Sequence, residues 1–126
     1  MAIERLEDIE SWKLGRVIST HIDEMVKKTG LGSDFPLRDQ MSRSAGSIMD
    51  NIAEGFDAGS NPEFVRFLWY AKRSGTELQS QLYRALDRQY CSRIKFDELY
   101  ALIRQTKAKI AALIRYLKDN KDPNKA

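Results

Sequence analysis

Carboxylates, an arginine and short hydroxyl and amide side chains recur at helical spacing in the middle of this chain. Arg43, Ser47, Asn51 and Glu54 follow one another at steps of three and four, and Ser74 and Glu77 repeat the pattern further on. Two carboxylates on neighbouring helices are the beginning of a di-metal site. Such sites also take Glu-x-x-His pairs, and the sequence has none. Its single histidine, His21, has no second histidine or cysteine close by in sequence, and any Ser-His-Asp arrangement would have to use it. Cys91 follows Tyr90 in a turn-like stretch with nothing that marks an activated thiolate. No Gly-x-x-x-x-Gly-Lys or Gly-x-Gly-x-x-Gly phosphate loop occurs. Arg43, Ser47, Asn51, Glu54, Ser74 and Glu77 are therefore read as a structural polar ladder at the edge of a core. No catalysis, metal or cofactor is expected.

A ladder of this kind needs helices to carry it. The sequence is 126 residues long, suited to one domain, and the lone Cys91 allows no intrachain disulfide. The apolar residues predict an all-α chain with helices over about 6–28, 36–55, 61–89 and 95–119, and a polar, frayed tail over 120–126. Thr29-Gly30-Leu31-Gly32 stops the first helix. Ser60-Asn61-Pro62-Glu63 supplies a cap, a first-turn proline and an acidic first turn to the third. In the fourth, Phe96, Leu99, Ile103, Thr106, Ile110, Leu113 and Leu117 alternate three and four, as in a coiled-coil seam. Short connections between amphipathic helices give an antiparallel up-down-up-down four-helix bundle. A hairpin between helices two and three, turning near residue 58, would set Arg43 level with Ser74 and Asn51 level with Arg66. It would bring Arg43 and Glu77 together as a partly buried pair.

Charge and aromatic content are unevenly spread. Residues 1–83 carry 10 Lys/Arg against 13 Asp/Glu, and residues 84–126 carry 11 against 5. The basic C-terminal third is a candidate surface for an anionic partner, with Arg84, Arg88, Arg93, Lys95, Arg104, Lys107, Lys109, Arg115 and Lys118 as candidate nucleic-acid contacts. Phe64-Val65-Arg66-Phe67-Leu68-Trp69-Tyr70-Ala71 is apolar nearly all round a helix. Phe64, Phe67, Trp69 and Tyr70 are thus candidates for an interface between copies of the chain. The N-terminal segment has charges where a signal peptide would be apolar, and no run approaches the roughly 20 apolar residues that span a bilayer, so a cytoplasmic location is expected.

The run Arg43-Ser44-Ala45-Gly46-Ser47-Ile48-Met49-Asp50-Asn51-Ile52-Ala53-Glu54-Gly55 resembles the hallmark of small bacterial four-helix-bundle proteins encoded in intervening sequences of 23S ribosomal RNA genes, also labelled S23 ribosomal proteins. Leu6-Glu7-Asp8-Ile9-Glu10-Ser11-Trp12 resembles that family's opening, and Phe67 to Leu78 its third-helix signature. There the family usually has a Gly-Ser pair after the alanine; here Lys72-Arg73 precede Ser74, which bears on how helix three packs. The resemblance covers about residues 6–118. It implies a left-turning bundle, a ring-shaped homo-oligomer of which a pentamer is one form, and no enzymatic activity. In fold it is similar to the accessory proteins of diversity-generating retroelements, a likeness that is not itself a function.

Three roles follow for test. The first is a non-enzymatic oligomeric bundle that presents basic helix faces to RNA or DNA as a scaffold or accessory protein. Tyr83, Tyr90 and Tyr100 could add base stacking. The second is a protein–protein adaptor with no nucleic-acid role, using the Phe64–Tyr70 surface. The third, a small-ligand or enzymatic bundle, requires an open polar pocket between helices two and three around Arg43, Asn51, Glu54 and Glu77.

Overall fold

A computed structural model describes residues 3–120. Four α-helices make up the chain: α1 (Glu10–Lys28), α2 (Phe35–Phe56), α3 (Asn61–Asp87) and α4 (Arg93–Asp119). Short 3-10 turns at Leu6–Asp8 and Gly30–Ser33 precede α1 and α2. No strand occurs among the described residues. The tail expected over 120–126 lies outside them apart from Asn120.

Three of the four helices begin where a short polar side chain satisfies an orphan backbone N–H; α1, which starts after Ile9, has no such side-chain cap. Ser60 Oγ accepts from the Glu63 N–H at 3.3 Å, and Ser92 Oγ from the Lys95 N–H at 3.1 Å. Asp34 does the same for α2, accepting from the Leu37 N–H at 3.4 Å. The expected first helix is interrupted: Ile9 is extended and buried, so the chain turns there before α1 starts. α3 ends at Asp87, two residues short of the expected end, and Gln89 takes a left-handed φ of 63° that turns the chain toward α4.

Contacts between helices show the antiparallel order. Gly15 of α1 lies against Ile48 and Met49 of α2, and Ser47 of α2 against Ser74 of α3. Gly75 of α3 lies against Ile103 and Lys107 of α4, and His21 of α1 meets Lys95 of α4. α1 and α4 therefore close the bundle. The core runs its whole length, from Met25, Leu37, Leu82 and Phe96 at one end, through Ile18, Ile48, Leu78 and Ile103, to Ile52, Phe64, Leu68 and Ile114. All of the α4 seam positions are buried except Leu117, which is half-buried.

The α2–α3 hairpin differs from expectation by one helical turn. Ser47, not Arg43, stands opposite Ser74, and Gln40 stands opposite Arg84. The reason lies at the turn. α2 runs on to Phe56 and residues 57–60 link it to Asn61, so the hairpin turns near residue 60 and not 58, and the first turn of α3 reaches the end of α4. There Asn61 Nδ2 donates to the carbonyl of Asn120 at 2.8 Å and to that of Leu117 at 3.4 Å, capping α4.

Candidate functional site: the two flanks of helix three

The polar ladder exists in its middle and not at its ends. Asn51 Nδ2 donates to the carbonyl and the Oγ of Ser47, both at 2.8 Å. The Ser74 hydroxyl lies 2.9 Å from Ser47 Oγ and 3.2 Å from the Tyr70 carbonyl. Serines this short let the two helix backbones approach closely. Arg43, Glu54 and Glu77 are exposed, and no ion pair joins Arg43 to Glu77 among the described residues. The expected buried pair is therefore corrected, because Arg43 and Glu77 both turn toward solvent. The open polar pocket required of a ligand site is also displaced. A depression of about 380 Å³ is lined by Ser42, Arg43, Gly46, Ser47, Asp50, Asn51 and Glu54, all on α2, and not by α3. Within it, a Cβ added to Gly46 would meet no atom within 4 Å.

The candidate interface residues divide. Phe64 is buried against Phe56 in an edge-to-face contact and belongs to the core, which corrects its place in the candidate patch. Phe67 and Tyr70 lie half-buried on the α2 flank, edge to face at 5.8 Å. Arginines cover them: Arg66 stands 4.7 Å from the Phe67 ring centre and Arg73 5.8 Å from that of Tyr70. Trp69 lies on the opposite flank, toward α4. The apolar all-round segment thus serves three directions at once. Within Phe64–Ala71 only Arg66 and Trp69 are exposed, while Val65, Phe67 and Tyr70 are half-buried.

The nine candidate cations divide as well. Arg84 donates to Gln40 Oε1 at 2.8 Å and Arg88 pairs with Asp34 at 2.6 Å, both tying α3 to α2. Arg93 pairs with Asp97 on its own helix. Lys95 donates to His21 Nδ1 at 2.8 Å, which places the histidine's proton on Nε2. Lys109 points to the side of α4 away from α3. Lys107 and Lys118 face α3, with Arg104 and Arg115 on the adjoining outer surface of α4.

A residue outside the candidate set completes that flank. Lys72 Nζ stands 5.1 Å from the Trp69 ring centre and Lys118 Nζ 6.0 Å from it. The Lys107 stem passes over Gly75, where an added Cβ would lie 3.0 Å from its Cγ, and its Nζ donates to Gln79 Oε1 at 2.9 Å. Partial burial, reinforced by the charge of Lys72, holds the Lys107 ammonium below the ordinary lysine range. Tyr83 lies at the far end of the same seam, 4.8 Å from Phe96 and 5.8 Å from Tyr100 between ring centres. The signal for Lys72 was present in the sequence: it stands one helical turn after Trp69, on the same face of α3.

Elsewhere, Asp34 accepts from Tyr90 Oη at 2.8 Å as well as from Arg88, and the Tyr90 hydrogen bond is the main reason its carboxyl sits below the ordinary range. The Asp-Phe-Pro start of α2 could have pointed to that cap. Desolvation pushes the Cys91 thiol up, away from the thiolate. No group of three or more His, Cys, Asp or Glu side chains close enough to hold a metal occurs among the described residues, and none of their helices is long and apolar enough to cross a membrane.

Four helices with this α2 motif and this α3 signature define a class, and comparison agrees. The 23S rRNA-intervening sequence protein family matches residues 7–112, and the chain belongs to it. It is similar to a solved Bacteroides thetaiotaomicron protein of unknown function from the S23 ribosomal protein family. The two are 20% identical, with a TM-score of 0.74 over 82% of this chain and 97% of that one, a likeness of fold. No curated protein matches.

Proposed function

We propose that this protein is a non-catalytic, self-associating bundle that binds the phosphate backbone of nucleic acid along the α3–α4 seam. The observation that carries the reading is the pair Lys72 and Lys118 beside Trp69, with Lys107 further along the same seam over Gly75 and within the charge field of Lys72. No carboxylate lies within ion-pair distance of any of the three among the described residues. Like charges held together in one seam repel one another, and a polyanion relieves that repulsion while releasing its own counterions. The chemistry of the remaining groups supports a binding role. His21 has one ring nitrogen occupied by Lys95, and the Cys91 thiol is held protonated.

Self-association is supported by the outer face of α2. Arg43, Asp50 and Glu54 put both signs of charge on one face of α2 around Gly46, beside which there is room for another backbone. Copies joined there would repeat the basic seam around the assembly.

Fluorescence anisotropy with a generic RNA at about 50 and about 200 mM salt tests the seam, since each phosphate contact contributes a slope of roughly 0.7 to 0.9 in log affinity against log salt. Lys72→Glu with Lys118→Glu is expected to abolish binding, and Arg93→Glu to leave most of it. Equal losses, or an affinity that does not change with salt, would overturn the reading. Sedimentation at high micromolar concentration tests self-association, and a monomer there would remove it. Stoichiometric capture of one other protein from nuclease-treated lysate, with no RNA affinity, would replace both readings with the adaptor.

A further inference from the structure

The seam carries rings as well as charge. Trp69 is 41% exposed on the rim of the α3–α4 groove, and Tyr83, 48% exposed, lies on the same groove about 21 Å further along α3. A duplex keeps its base faces stacked inside and would touch this surface only through phosphates, leaving the indole idle. A single strand presents a face from every base, and stacking on an aromatic ring accepts any of them. The lysines beside Trp69 suit that exchange. Lys72 and Lys118 are held near the ring and are not locked to a carboxylate. Each can swing from the indole to the phosphates flanking an arriving base without breaking an ion pair. Building on the polyanion reading above, we infer that the seam takes single-stranded nucleic acid, with one base stacked on Trp69, its neighbouring phosphates on Lys72 and Lys118, and the strand running past Lys107 toward Tyr83.

The chain has two tryptophans, so Trp12→Phe leaves Trp69 as the sole indole reporter. An oligothymidylate and a DNA duplex of the same length, both at low salt, are the probes. The single strand is expected to bind more tightly than the duplex and to quench Trp69 fluorescence to saturation. Trp69→Leu in the otherwise native chain is expected to weaken single-strand binding by about tenfold and to leave duplex binding within about twofold. Trp69→Phe keeps a stacking ring and should retain most of the affinity, which separates lost stacking from a disturbed fold. Unchanged fluorescence at saturation, or a Trp69→Leu affinity equal to the native one, overturns the stacking. If Lys72→Glu with Lys118→Glu still abolishes binding in that case, the polyanion reading survives alone. Absence of binding to either probe overturns both.

Discussion

The two flanks of α3 are built from different kinds of side chain. Toward α2 the contacts along the middle of the hairpin are short and rigid: Gly55 sits under Phe64 and Phe67, and Ser74 meets Ser47, with Arg84 and Arg88 reaching across only at the far end. Toward α4 they are long and adjustable: Gly75 sits under the Lys107 stem, and Trp69 lies between lysine termini. Short groups fix distance and register because they have few rotamers to lose. Long cationic groups cover apolar surface with their stems and keep the charge available at the tip. One flank therefore holds the hairpin, and the other can change partners without disturbing it.

The largest test of that contrast is a methyl group on each flank. A Cβ at Gly55 would come within 2.8 Å of Phe67 Cβ and 3.2 Å of the Phe64 carbonyl, neither of which can rotate away. Gly55→Ala is expected to destabilise the fold by about 1–3 kcal/mol, seen as a lower midpoint in urea. At Gly75 the obstacle is the Lys107 stem, which can move, and alanine gains about 1 kcal/mol of helix propensity. Gly75→Ala should stay within about 1 kcal/mol of the native chain. Equal losses at the two glycines would erase the distinction.

Next in size is the hydroxyl contact. Ser47→Ala and Ser74→Ala, alone and together, should show a coupling of about 0.5–1.5 kcal/mol in a double-mutant cycle. Arg43→Ala and Glu77→Ala should be additive, because no ion pair joins those two side chains. A coupling between the second pair and not the first would restore the register expected from sequence.

Gly46 sharpens the comparison on the outer face of α2. With nothing near its Cβ position, Gly46→Ala should stabilise the dilute, isolated chain by about 0.5–1 kcal/mol. The same variant should dissociate more readily in sedimentation, since a methyl group would fill the space a second copy needs. A variant that gains stability and associates as before would move the interface away from this helix.

Much of this architecture was legible in the sequence because period and caps are local signals. The α4 seam, the Ser60 cap and the apolar face of α2 follow from spacing alone. Register between helices was not, because it depends on where the hairpin loop lies. With the hairpin turning near residue 60, Ser47 takes the place expected of Arg43. The basic surface was legible only as a sum. Sequence counts Arg88, Arg93 and Lys118 alike, whereas Asp34 and Asp97 neutralise the first two. In the sequence Lys72 marks a departure in helix three but not a basic contact, because it lies in the acidic part of the chain, and only the fold brings it to Lys107 and Lys118. The aromatic run was correctly read as pointing in every direction. The sequence could not divide Phe64 for the core from Trp69 for the α4 flank.

The smallest effect belongs to the far end of the rigid flank. Asp34 caps α2, accepts from Tyr90 and pairs with Arg88, and its side chain is 15% exposed. Its folded carboxyl titrates below the ordinary 3.8, chiefly through the Tyr90 hydrogen bond and then through Arg88. A depressed acid stabilises the fold at pH above the unfolded value, and that contribution fades as pH falls through the folded one. Asp34→Asn keeps an N-cap and removes the charge. The variant should melt a little below the native chain at neutral pH, by the same margin down to about pH 5, and the gap should close below the ordinary aspartate range. The same bond raises the Tyr90 hydroxyl above its usual 10.0, so its share is present below that value and is lost as pH climbs through the raised one. Lys118→Met, on the adjustable flank, should shift the melting curve equally at every pH from 3 to 7. A gap between native and Asp34→Asn protein that persists unchanged in acid would show that the clasp holds through its geometry and not through its charge.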